Sequence, residues 1–258
     1  GASVPSTGSS STPMISFNIS EATSTNSMRL WSDANCNTTA ISSPQTASGT
    51  VLVSITTSAL PLNPSTATPI YVKATDVVGN ASTCFLLGSY KHDNTPPTVS
   101  SISTDVLTGT FKKANDVIQI TVNFSESVTV NITGGKPKLT LNNGAVVDYT
   151  SGSGSSAILF SYTVASGGDV ATLDIGSTSA LALNNGIIAD AAGNNATLTL
   201  PSPGATNSIS NTKTITIDTI APTVTFTSVS QGNPATTGSP TIKGTTSDTN
   251  NAGVTVLL

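Results

Sequence analysis

Carboxylates carry most of the chemical options in this sequence. There are thirteen Asp and Glu residues in 258, and several fall in motifs that occur twice. Asn18-Ile19-Ser20-Glu21 is echoed by Asn123-Phe124-Ser125-Glu126. The pattern D-x-x-G-N appears at Asp76–Asn80 and again at Asp190–Asn194, and D-x-x-x-P-T-V at Asp93–Val99 and Asp218–Val224. Hard oxygen ligands brought together suit Ca²⁺, and extracellular sites of that kind bind at roughly 10⁻⁴–10⁻³ M. Asp93, Glu126 and Asp190 form the leading candidate set, expected to meet at the joint between two domains. Glu21, Asp76 and Asp218 are the weaker matches, with Asp248 beside Asp218. A second reading stands next to the metal one. The Asp of D-x-x-G-N can bond the amides of its own turn while Gly takes a positive φ.

Other chemistries lack parts. Cys36 and Cys84 are the two cysteines. Neither sits in a CxxC pair, and His92 alone cannot complete a zinc site with them. They read as a disulfide within the first domain, with two buried thiols as the alternative. Closing that loop stabilises a fold by roughly 4 kcal/mol, and it implies an oxidising compartment. His92 has no nucleophile beside it and reads as a solvated linker residue. No G-x-S-x-G, H-E-x-x-H or P-loop pattern occurs, so the chain is not expected to be an enzyme and no catalytic residue is assigned.

Composition narrows the classes further. Charged residues make up 9% of the chain, against about a quarter in an ordinary soluble domain. Thirty-eight serines and forty-four threonines wet the surface instead. Net charge is −4, with nine Lys and Arg placed singly, which rules against neutralising a run of phosphates and hence against nucleic acid. No apolar run reaches 18 residues, so no membrane span is expected in this segment. The first residues carry no signal-like pattern. Thr, Val, Ser, Gly and Asn dominate over helix formers, which argues for an all-β chain.

Period-two alternation marks the strands. Ile118, Ile120, Val122 and Phe124 share a face, as do Ile158, Phe160, Tyr162 and Val164. Ile70–Ala74 and Met28–Trp31 alternate in the same way, and Phe17 and Trp31 are expected in the core of the first domain. Asn143-Gly144 and Asn185-Gly186 are hairpin-turn pairs. About seven short strands with frequent turns read as an immunoglobulin-like sandwich. The repeated order Ser-Glu, D-x-x-G-N, D-x-x-x-P implies two copies of one domain type, joined by stiff proline linkers. The expected boundaries are 1–93, 94–218 and an incomplete third unit at 219–258 with strands at Val224–Val229, Pro240–Thr246 and Val254–Leu258. In such a sandwich Glu126 falls in the loop after the second strand, Asp190 in the loop after the sixth, and Asp93 in the linker.

The residues also carry a resemblance. Phe111–Asp116, Phe124–Val128, Pro137–Leu141, Tyr149–Gly154 and Ile188–Ala196 resemble a repeat of very large bacterial Ig-like adhesins, of the type described as a flagellar-system-associated repeat. Residues 19–24 with Cys36 and 74–84 look like the shorter bacterial Ig-like repeat. The resemblance implies a tandem array of Ig-like domains in a secreted, cell-surface protein, acting as an adhesive stalk. Its implied partners are neighbouring domains or subunits of the same protein and a host, prey or matrix receptor. The alternatives are a subunit of an extracellular filament completed by strand exchange, and an accessory or carbohydrate-binding module of a secreted enzyme.

Overall fold

The structure is a computed structural model. It describes residues 2–19, 21–64, 66–230 and 241–247. The chain is nearly all β, with a single four-residue helix among the described residues. It divides into two compact units, 1–97 with 189–196, and 98–188 with 197–258.

In the first unit the strands are β1 (Thr7–Gly8), β2 (Met14–Asn18), β3 (Glu21–Trp31), β4 (Gln45–Gly49), β5 (Leu52–Thr56), β6 (Thr68–Asp76) and β7 (Phe85–His92). Five of them form one sheet in the order β1-β7-β6-β3-β4, and β2 pairs with β5 in another. Alternation explains which residues turn inward. On β2, Ile15 and Phe17 are buried while Met14 is exposed, and on β5 Val53 and Ile55 are buried while Leu52 is exposed. These four join Met28, Leu30, Ile70 and Tyr90 of the larger sheet in one core. Each such side chain contributes roughly 1.5–3 kcal/mol by leaving water. The first and last strands lie side by side and parallel, with Thr7 opposite Lys91 and Gly8 opposite His92. The pairing runs on into the next residue, where the Asp93 amide donates to Gly8 O at 3.0 Å.

Trp31 does not join this core. Met28 and Leu30 are fully buried, so the pleat sends Arg29 and Trp31 to the opposite face, where both are half-buried. The expectation of a core tryptophan overrode the alternation of its own strand.

The second unit comprises β8 (Val99–Thr104), β9 (Thr110–Lys112), β10 (Val117–Asn131), β11 (Lys138–Thr140), β12 (Val146–Ser151), β13 (Ser155–Thr163), β14 (Leu181–Ala182), β15 (Ile187–Ala189), α1 (Ile209–Thr212), β16 (Ile215–Ile217), β17 (Thr223–Ser230) and β18 (Thr241–Ser247). The main sheet runs β14-β11-β12-β13-β10-β15, with β8 also on β10. Ile118, Ile120 and Val122 of β10 face Tyr162, Phe160 and Ile158 of β13 in register. All six side chains are buried, and the Phe160 ring meets Tyr149 edge-on with centroids 6.3 Å apart. The parallel arrangement of the first unit recurs here. β16 runs alongside β9 from Ile215–Thr110 to Ile217–Lys112, and the Asp218 amide donates to Lys112 O at 2.9 Å.

One expectation about chain path fails. Ser125 and Glu126 do not lie in a loop, because β10 continues unbroken from Val117 to Asn131. Its register shifts between Asn123 and Val128 against β13. Extra residues on one strand bend it without ending it, and Ser125-Glu126 sit on that bend. The second strand expected in the third unit corresponds to β18, which pairs with β17. The third, Val254–Leu258, and Asp248 lie outside the described residues.

Turn chemistry settles a detail. Asn184 and Asn185 both have positive φ, 49° and 64°, and the Gly186 amide closes the turn onto Leu183 O at 2.8 Å. The two central residues are therefore Asn184-Asn185, one position earlier than the Asn-Gly pair suggests. This turn presses against Gly134. A Cβ on Gly134 would stand 2.1 Å from Asn185 O, a backbone atom. The substitution Gly134→Ala is expected to destabilise the second unit by roughly 1–3 kcal/mol, as overpacking does, measured by urea unfolding.

Candidate functional site

The repeated acidic motifs fold as self-contained turns. In the first copy the Asp76 carboxylate accepts the amides of Val78 and Asn80 at 3.0 and 2.8 Å and the Asn80 side chain at 2.9 Å. The Asp76 amide donates to Asn80 O. In the second copy Asp190 accepts the Asn194 amide and side chain, both at 2.8 Å, and its own amide donates to Asn194 O at 3.1 Å. Gly79 and Gly193 have φ of 95° and 90°, which only glycine takes without strain. Even the stems agree, since Thr75 bridges Ala81 and Ala189 bridges Asn195. The side-chain bond from Asn80, followed by its amide, overcomes a burial penalty and holds the Asp76 carboxyl below its ordinary range.

The linker motif repeats with the same fidelity. Asp93 accepts the Thr95 amide at 3.1 Å, and Asp218 accepts the Ile220 amide at 3.1 Å. Each carboxylate therefore shapes the chain that follows it, which is the role expected of Asp two residues before an amide it can reach.

Among the described residues, the carboxylates close enough to share a cation include Asp93 and Asp190, whose oxygens lie within 4.8 Å of each other. Asn194 ties the pair together by donating its side-chain amide to Asp93 O at 3.0 Å. Asp190 is buried at 8% exposure. Asp93 is also approached by the Lys91 ammonium at 3.8 Å. Glu126 stands half-buried on β10 of the second unit. The Glu21 side chain lies outside the described residues. Both oxygens of Asp190 already accept protein donors, so the turn role accounts for its geometry.

His92 is not a solvated linker residue. It is 6% exposed, with Nδ1 3.4 Å from Leu60 O and Nε2 3.2 Å from Ser9 O. As the last residue of β7 it turns inward by alternation from Tyr90.

Cys36 and Cys84 are joined, with Cα atoms 5.7 Å apart. The bond pins the loop after β3 to the residue just before β7. That loop is organised by an acid the sequence reading passed over. Asp33 accepts the amides of Asn35, Asn37, Thr38 and Thr39, the last at 2.9 Å. The Thr39 amide leads in holding its carboxyl down at about 2, with those of Asn37 and Thr38 assisting against a burial penalty. A depressed folded pKa contributes stability above the unfolded value near 3.9 and loses it as pH falls toward 2. The carboxyl carbon resonance of Asp33 should accordingly titrate near pH 2 in the folded protein, while the loop amides of 35–39 exchange faster below pH 3.

The second unit holds its own overlooked acid. Asp174 is 2% exposed. Its carboxylate accepts the amides of Ile175, Gly204, Ile209 and Ser210 and the Ser210 hydroxyl. Burial opposes its ionisation, yet these bonds, led by the Ser210 hydroxyl and the Gly204 amide, outweigh it and keep the carboxyl below its ordinary value. A scan against protein-family models finds no match, and a search of curated proteins finds none either.

Proposed function

We propose that this chain is a structural and adhesive segment of a bacterial cell-surface protein, built from tandem Ig-like repeats and working outside the cell. The observation that carries the reading is the agreement of the two D-x-x-G-N turns, which share the Asn amide and side-chain bonds to Asp and a positive-φ glycine, and of the two linker turns, which share the Asp bond to the amide two residues on. Evolution by duplication of a spacer module yields such agreement. The Cys36–Cys84 bond and the hydroxyl-rich, weakly charged composition support an oxidising, extracellular setting. Calcium belongs to this proposal as the ion that Asp93 and Asp190 would take, with Glu126 expected from sequence as a third ligand. Heat on titration with millimolar Ca²⁺, and a melting temperature lowered by chelator, would support that part.

Single-molecule pulling of the intact chain tests the spacer role. The expected trace has at least two separate unfolding events at well-defined force. Reducing the disulfide should lengthen the first unit's release by the 48 residues it spans, or roughly 160–170 Å. One concerted event, or extension without force peaks, would sink the proposal.

A further inference from the structure

We propose that the outer face of the β3–β6 strand pair in the first unit is a binding site for an acidic saccharide. The register sets Arg29 opposite Lys73 and Trp31 opposite Tyr71, and the burial of Met28 and Leu30 fixes all four on the face turned away from the core. All four are half-buried. The patch gathers the chain's single arginine and single tryptophan, and two of its nine cations. The Arg29 guanidinium lies 5.9 Å from the centre of the Trp31 ring.

The arrangement is unfavourable for the fold taken alone. Like charges placed directly opposite destabilise a strand pair. Among the described residues the ion pairs are Lys91–Asp93 and Lys138–Asp148, and neither involves Arg29 or Lys73. Asp33, two residues past Trp31, turns its carboxylate onto four amides of its own loop, and Asp76, three past Lys73, onto its own turn. A bound anion would relieve the charge opposition.

The chemistry of the four side chains defines that ligand. A guanidinium presents a fork that fits a carboxylate in two parallel hydrogen bonds, and Lys73 adds a point charge beside it. Trp31 and Tyr71 stand about 5 Å apart from strand to strand and about 7 Å along the strand from the cations, the scale of a sugar ring, with the Arg29 guanidinium lying over the Trp31 ring. Two cations are too few for a run of phosphates. An added peptide strand has no edge to use here, since β3 lies between β6 and β4 and β6 lies between β7 and β3. A uronic-acid polymer presents both the flat ring and the carboxylate.

The test is a titration of the full chain with oligogalacturonate, read by Trp31 fluorescence, the only tryptophan signal. A saturable change that weakens with added salt is expected, absent with neutral dextran. Arg29→Gln and Lys73→Gln should each weaken binding by about tenfold, the scale of a lost charge-assisted bond. Lys73→Gln should melt no lower than the parent because it removes the charge opposition. If Arg29→Gln fails to fold, Lys73→Gln decides the matter. No saturable change, an equal response to dextran, unchanged affinity in the variants, or tighter binding of polyglutamate would each overturn the proposal, the last by assigning the face to an acidic protein. The outcome is independent of the pulling experiment, which reads the spacer role alone.

Discussion

Asp174→Ala will cost the second unit several kcal/mol and will unfold it well before the first. The carboxylate accepts four backbone amides and a hydroxyl in a site that is 2% exposed. Removing it strands donors from three separate stretches, at Ile175, Gly204 and Ile209–Ser210. A buried donor left without its partner costs roughly 1–3 kcal/mol, and a broken buried charged network roughly 3–5 kcal/mol in all. Guanidinium unfolding followed by Tyr fluorescence would read the loss, with Trp31 reporting the first unit separately. Asp174→Asn should lose less, because its amide oxygen keeps one acceptor. The pH dependence has a definite sign. The folded carboxyl is depressed, so its contribution is present above about pH 4 and declines as the solution is acidified further. A variant that unfolds at the parent's denaturant midpoint would show that water replaces the carboxylate without loss.

Removing the Cys36–Cys84 bond ranks with this in size and acts on the other unit. The loop it closes spans 48 residues, and chain entropy puts its contribution near 4 kcal/mol. The double variant Cys36→Ser with Cys84→Ser, or the reduced parent, should show a large fall in the first unit's melting temperature while the second unit's transition stays in place. Cys36 is 2% exposed, so a serine there also buries a hydroxyl in a place made for sulfur. Comparing the reduced parent with the double serine variant separates the two costs. An unchanged first transition would mean that the Asp33 loop holds its shape without the covalent tie.

Much of the fold was readable because burial on one face prints itself with period two. Ile118 to Phe124 and Ile158 to Val164 face inward as their spacing required. The disulfide followed from there being two cysteines and no metal pattern to claim them. What stayed hidden depended on partners far away in sequence. Nothing near His92 announces that the carbonyls of Ser9 and Leu60 flank its ring. Asp174 has no repeated motif around it, and its donors come from 204–210. Asp33 offered a weak local sign, an Asp followed by a run of small polar residues, but that pattern is common in a chain so rich in Ser, Thr and Asn. The continuity of β10 through Ser125-Glu126 was concealed because a polar pair inside a strand looks like a turn until its register is known. For the acidic site the motifs were plain and their turns followed, whereas a metal role asks for ligand counts that motifs alone do not supply.

The parallel pairing of first and last strands has a further consequence. β1 opens the first unit and β7 is its last strand, and they run the same way. Tension applied through the two ends of such a unit drags the paired strands in opposite directions along one shared ladder. Its hydrogen bonds are then sheared together instead of being peeled one at a time, so a short contact of two residue pairs can act as a latch against rupture.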